Sequence, residues 1–165
     1  MTARYCRDRE RPLVVKHQRS RPSERQWHTG AVAEMSVRMG GVPTLYEAVG
    51  GMAFFGQLVD AFYRRVAGDA FLLALYPEPD DLSGARERLR LFLAQYFGGP
   101  TTYSDERGHP RLRMRHAPFA IATRERDHWL AAMHGAVAEL APSPEVTETL
   151  LAYFDMAADA MRNTE

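Results

Sequence analysis

The chain has 165 residues, 45% hydrophobic and 25% charged, and its 21 basic and 21 acidic side chains cancel. That suffices for one globular domain with a buried core. No apolar run approaches the roughly 18–20 residues of a membrane span, and none near the N-terminus carries the flanks of a signal peptide. The single cysteine, Cys6, excludes an internal disulfide framework and a cysteine-built zinc or iron–sulfur site, and the zero net charge argues against non-specific nucleic-acid binding by the whole chain; a cytoplasmic location is the default expectation.

Residues 1–43 carry nine basic and four acidic groups, a net +5, so residues 44–165 carry −5. The first segment lacks helical or strand periodicity and ends in the breaker Met39-Gly40-Gly41-Val42-Pro43. It reads as a basic, disordered leader, either inert or touching an anionic surface. From residue 44 the pattern becomes helical. Thr44 and Glu47 have capping-box spacing, opening a short helix closed by Gly50-Gly51. Phe54, Phe55, Leu58, Val59, Phe62, Tyr63 and Val66 then recur at three and four, an amphipathic helix. A short turn over Phe71–Tyr76 is stopped by Pro77 and Pro79. Leu82, Ala85, Leu89, Phe92, Leu93 and Tyr96 form another stripe, ended by Gly98-Gly99-Pro100.

Residues 100–110 read as loop, and Pro110 opens a brief helix that runs to His116 and stops before Pro118. Trp129, Leu130, Met133, Ala136, Val137 and Leu140 make a long stripe with Thr123 as its cap. Ser143-Pro144-Glu145 is a cap, a first-turn proline and a first-turn acid. They open a last helix with Val146, Leu150, Leu151, Phe154, Ala157, Ala158 and Met161 inward. No segment alternates with period two long enough to be a strand, so the expected class is all-α.

Four histidines lie in this part: His109, His116, His128 and His134. None has the spacing of a helical zinc site, and no phosphate- or dinucleotide-binding glycine pattern is present. His116 stands out because it ends a short, proline-bounded helix, four residues after Leu112. From there it is placed to bind one metal axially, provided the metal brings other ligands, such as the four nitrogens of haem. A histidine merely satisfied at a helix end remains the alternative. Tyr63, Tyr76 and Trp129 form a second set: polar-tipped aromatics on three segments, whose donors either meet around one ligand or each cap a nearby carbonyl.

At these residues the chain resembles the truncated haemoglobins, second subgroup. The resemblance rests on Leu45-Tyr46-Glu47-Ala48-Val49-Gly50-Gly51, Gln95-Tyr96-Phe97-Gly98-Gly99-Pro100, Thr102-Tyr103-Ser104, Arg111-Leu112-Arg113-Met114-Arg115-His116-Ala117-Pro118-Phe119 and Glu125-Arg126-Asp127-His128-Trp129-Leu130. It spans residues 44–165. It implies a shortened globin fold, a two-on-two helical sandwich around one haem. It also implies His116 as the proximal ligand to iron, and Tyr63, Tyr76 and Trp129 as donors on the opposite side. Ala85 matches the position where many globins place a distal histidine, and Leu89 an apolar lid one turn on. Phe92, Leu93, Met114, Phe119 and Ile121 match haem-pocket positions, while Tyr103 and Arg113 match the propionate edge less closely. Two positions depart from the pattern: Phe97 stands where tryptophan is frequent, and Pro79 is inserted after Tyr76.

The implied ligands are dioxygen and other small diatomic molecules. Three donors near bound dioxygen imply slow release, which suits nitric oxide or peroxide detoxification (as a nitric oxide dioxygenase or a peroxidase-like enzyme) better than oxygen transport. Such turnover needs a reductase that the sequence does not name, and a homo-oligomer stays open. Two other classes compete with this reading. One is a haem-free helical interaction module that docks an acidic partner on the Arg107–Arg115 cluster; the other is a gas or redox sensor with the basic leader as its output surface.

Overall fold

The computed structural model describes residues 42–165. The leader expected over residues 1–43 lies, apart from its last two positions, outside the described residues. Eight helices follow among the described residues: α1 (Leu45–Ala48), α2 (Met52–Gly68), α3 (Ala70–Leu73), α4 (Ser83–Tyr96), α5 (Thr102–Arg107), α6 (Leu112–His116), α7 (Thr123–Leu140) and α8 (Pro144–Met161). No strand forms among them.

The centre of the molecule is α2. Its residues Phe55, Leu58, Val59, Ala61, Phe62, Tyr63 and Val66 are all buried; their spacing at three and four turns one continuous apolar stripe inward. α2 packs on α4 along one side and on α7 along another, and α8 packs on α7. Two helix pairs, α2/α4 and α7/α8, thus meet through α2 and α7. From the second pair the core receives Met133, Ala136, Val137, Leu150 and Phe154. Each large side chain taken fully out of water here is worth about 1.5–3 kcal/mol.

The connections follow local chemistry. Thr44 and Glu47 form the expected reciprocal cap: the Glu47 N–H donates to Thr44 Oγ1 at 3.2 Å, and the Thr44 N–H to Glu47 Oε2 at 2.9 Å. The Tyr46 N–H donates to the Phe97 carbonyl at 3.0 Å, and its ring stacks on Phe55, which stacks on Phe97. Gly99 makes this docking possible, because a Cβ there would lie 2.6 Å from the Tyr46 ring and 2.7 Å from the Ala94 carbonyl. Phe97 itself, 5% exposed, belongs to the core. At the other end Ser143 caps α8, its Oγ accepting from the Val146 N–H at 3.4 Å.

Three local expectations are corrected. Residues 100–110 are not all loop, since α5 forms there. Its Ser104 is held by Gln95 through two bonds, 2.6 and 2.9 Å, and only Tyr103 turns into the core, too little for a visible period. α6 begins at Leu112 rather than Pro110, because Arg111 adopts a left-handed conformation with φ 41°. Finally, Thr123 is the first residue of α7, and Ala122 stands at the cap. Alanine has no acceptor to offer, so only the Glu125 half of a capping box exists, with the Ala122 N–H donating to Glu125 Oε2 at 2.9 Å.

Candidate functional site

His116 closes α6, a helix of five residues that buries none of its side chains and packs on α8. Its Nδ1 lies 2.8 Å from the Leu112 carbonyl one turn earlier. A carbonyl only accepts, so Nδ1 carries the proton and Nε2 keeps its lone pair. Metal-binding imidazoles are oriented in this way. Two large apolar side chains flank the ring in sequence and face solvent, Met114 at 66% exposure and Phe119 at 38%. Exposed apolar surface around a polar anchor is a mark of a contact site. No group of three or more His, Cys, Asp or Glu side chains gathers among the described residues to cage an ion. A metal on Nε2 therefore has to bring its own equatorial donors, and the planar, apolar haem with its four ring nitrogens meets that demand. The residues fit the group.

A second cluster forms between α2, the link after α3 and α7. Tyr63 on α2 is 3% exposed and meets Tyr76 edge to ring at 5.8 Å. Phe62, next to Tyr63, touches both the Tyr63 ring at 4.9 Å and the Trp129 indole at 5.3 Å. A continuous run of rings therefore links Tyr76, Tyr63, Phe62 and Trp129. The Trp129 N–H has no hydrogen-bond partner among the described residues, although an indole can only donate. Burial pushes the Tyr63 hydroxyl up, while the polar contact with Tyr76 and the positive Arg88 and Arg86 partly offset it. Tyr76 is pushed well above the ordinary phenol range, by burial first and by Tyr63 second. Both phenols are consequently neutral donors. Arg86 lies 5.6 Å over the Tyr63 ring and is tied to Asp60 at 2.9 Å.

The remaining sequence candidates spread over both regions. Ala85 and Leu89 are half-buried on α4, with Phe92 one turn further and 8% exposed. Leu93 lies in the core, and Tyr103 is buried against the Phe92 ring at 5.6 Å. Ile121 is half-buried and Arg113 is exposed. Among the described residues no hydrogen bond or ring contact joins the tyrosine–tryptophan cluster to His116, whose own hydrogen bonds run to Leu112, Phe119 and Asn163. Pro79 sits exposed in a turn closed by the Asp81 N–H on the Glu78 carbonyl at 3.2 Å, a position that favours proline. A separate groove of about 400 Å³ is lined by Gln57, Asp60, Arg64, Glu139 and Leu140. Its charges are already paired, Arg64 with Glu139 and Asp60 with Arg86.

Sequence reasoning missed one arrangement beside the cluster. Asp69 caps α3, its Oδ1 accepting from the Leu72 N–H at 3.0 Å. Its Oδ2 accepts from His128 Nδ1 on α7 at 2.6 Å. Phe71 covers the His128 ring at 4.6 Å, and Arg124 covers Phe71 at 4.0 Å. The cap was readable from Gly68-Asp69 before an apolar run; the bond across 59 residues leaves no local mark.

Comparison with known proteins places the chain in one family. The profile of the bacterial-like globin family matches residues 44–163. A group 2 truncated hemoglobin of Bacillus subtilis (strain 168) is 40% identical over 118 residues, covering 72% of this chain and 87% of the relative. Among solved structures, a thermostable hemoglobin from the actinobacterium Thermobifida fusca is 53% identical with a TM-score of 0.72, covering 74% of this chain and 98% of that one. A truncated oxygen-avid haemoglobin from Bacillus subtilis is 39% identical with a TM-score of 0.69, covering 73% and 100%.

Proposed function

The chain belongs to the bacterial-like globins as a group 2 truncated haemoglobin, and we propose that it binds haem through His116 and retains dioxygen beside Tyr63, Tyr76 and Trp129. When bound, haem would supply an iron, held by His116, that binds a small diatomic ligand. The observation that carries the assignment is the His116 Nδ1 bond to the Leu112 carbonyl at 2.8 Å. It fixes the tautomer that leaves Nε2 basic and aims the ring along one direction. Met114 and Phe119 offer the apolar surface that a porphyrin covers, and Phe92, Leu93, Ala85, Leu89 and Ile121 line its other contacts. Arg113 serves the propionate edge with Tyr103.

On the opposite side, Tyr63 and Tyr76 donate hydroxyl protons and Trp129 its N–H toward the diatomic ligand. Three donors grouped about the Phe62 ring hold a polarised ligand firmly. Each contributes about 1–3 kcal/mol where water is excluded, or one to two decades in release rate. Firm retention is poor for a carrier that must unload. It suits turnover of nitric oxide or peroxide, with an external reductase closing the cycle.

The test is the absorption spectrum of the purified protein. Wild type is expected to take up haem with a sharp Soret band and to form a long-lived complex with dioxygen. His116→Gly is expected to lose haem unless imidazole is supplied. A full haem complement in that variant without imidazole refutes the assignment.

A further inference from the structure

The segment from His116 to Ala122 is held by a residue far away in sequence. α8 ends at Met161, and Arg162 turns the chain into extended backbone. Asn163 then lies against the link between α6 and α7. Its Nδ2 donates to the Phe119 carbonyl at 2.9 Å and to the carbonyl of His116 itself at 3.3 Å. Its Oδ1 accepts from the Ile121 N–H at 3.0 Å. Its own N–H donates to the Ile121 carbonyl at 2.9 Å, joined there by the Thr164 N–H at 3.3 Å. The orientation of the amide is set by chemistry: the reverse flip would place NH2 against the Ile121 N–H and oxygen against two carbonyls.

Apart from half-buried Leu112 and its packing on α8, α6 is held by few contacts. It buries no side chain, its cap makes no side-chain bond, and the residue before it, Arg111, is in a left-handed conformation. Arg115, next to His116, reaches back to the carbonyls of Pro110 and Arg107 at 2.8 Å each, which ties the helix to the segment before it but does not reach the link that follows His116. The end that carries His116 is fixed by the Phe119 N–H on the His116 carbonyl at 3.0 Å and by Asn163. One amide thus spans His116, Phe119 and Ile121.

We infer that Asn163 is a positioning residue for His116: it fixes the backbone on which the imidazole stands, and so sets how firmly the iron of haem is held. The inference rests on the reading of His116 as the iron ligand. Outer groups that orient a metal-bound histidine are worth about 10–100-fold in metal affinity, and a backbone clamp acts on the same coordinate. Of the possible replacements, aspartate keeps an acceptor for the Ile121 N–H but sets a negative oxygen against two carbonyls. Alanine removes all three side-chain bonds.

The experiment compares full-length wild type, Asn163→Ala, Asn163→Asp, Arg162→Ala and His116→Gly, each reconstituted with haem. Two quantities are read: the rate of haem transfer to an excess of a haem-scavenging apoprotein, and the iron–imidazole stretching band in the Raman spectrum of the ferrous protein. Asn163→Ala is expected to release haem about tenfold faster or more, with a shifted iron–imidazole band. Asn163→Asp is expected to shift the band in the same way while helicity by circular dichroism stays at the wild-type value. Arg162→Ala removes a half-buried side chain and its 3.3 Å contact with Asp159 in the same stretch, none of it bonded to the His116–Ile121 link, and is expected to leave the band where it is. An unshifted band and a release rate within about twofold of wild type in both Asn163 variants would overturn the inference. A band that moves equally in Arg162→Ala would also overturn it, since any disturbance of this terminus would then suffice. Retention of haem in His116→Gly would instead strike the underlying assignment of the ligand.

Discussion

Burial keeps the hydroxyls of Tyr63 and Tyr76 protonated, and that has a measurable signature. A phenol whose pKa lies above the ordinary 10 remains a donor throughout the neutral and mildly alkaline range. The dioxygen release rate is therefore expected to stay flat from about pH 6 to pH 10. A rise with a midpoint below pH 10, traced by stopped flow, would mean that one of these phenols ionises in the pocket. Trp129 has a different chemistry, because its N–H neither ionises nor accepts. Trp129→Phe keeps the contacts with Phe62 and Phe154 but removes the donor. Dioxygen release is expected to accelerate by about one to two decades; an unchanged rate would remove Trp129 from ligand bonding.

Between elements, the bond from His128 to Asp69 ties α3 to α7, the helix that carries Trp129. The contact with His128 is the main cause that holds the Asp69 carboxyl below its ordinary value, followed by the Leu72 N–H. A carboxyl depressed in the folded state contributes stability that is fully present above its unfolded pKa and is lost as pH falls through the lower, folded one. Asp69→Asn is therefore expected to lower the melting temperature at neutral pH, with the two proteins drawing together as the pH falls below the ordinary carboxyl range. An equal difference at both ends of that range would show that the charge is irrelevant. This bond also marks where the sequence stops being legible. The long helices were readable because Phe55, Leu58, Phe62 and Val66 on α2, or Leu150, Phe154 and Ala158 on α8, repeat at helical spacing. Caps at Thr44 and Ser143 were readable from three or four neighbouring residues. α5 escaped because six residues with one buried ring carry no period, and the start of α6 because the left-handed turn at Arg111 sits on a residue with no preference for it. In the candidate site, the tautomer of His116 follows from a residue four positions away and was within reach. The clasps at Asp69–His128 and at Asn163 join residues 59 and 42–47 apart, and pairing at that range exists only once the helices have packed.

Over the whole molecule, stability is concentrated where apolar area is buried, along α2 and its faces against α4 and α7. α6 is the opposite case, since none of its side chains belongs to the buried core. Opening it breaks a few hydrogen bonds and uncovers one half-buried apolar side chain, Leu112, so its opening free energy falls well below that of global unfolding. Amide protons of α6 are expected to exchange with deuterium well before those of α2 and α7, at a rate that a mild denaturant hardly changes. Exchange of α6 together with α2 would contradict this. The helix that presents His116 is thus expected to open separately once the Asn163 bonds break, moving the imidazole while the other helices keep their native contacts.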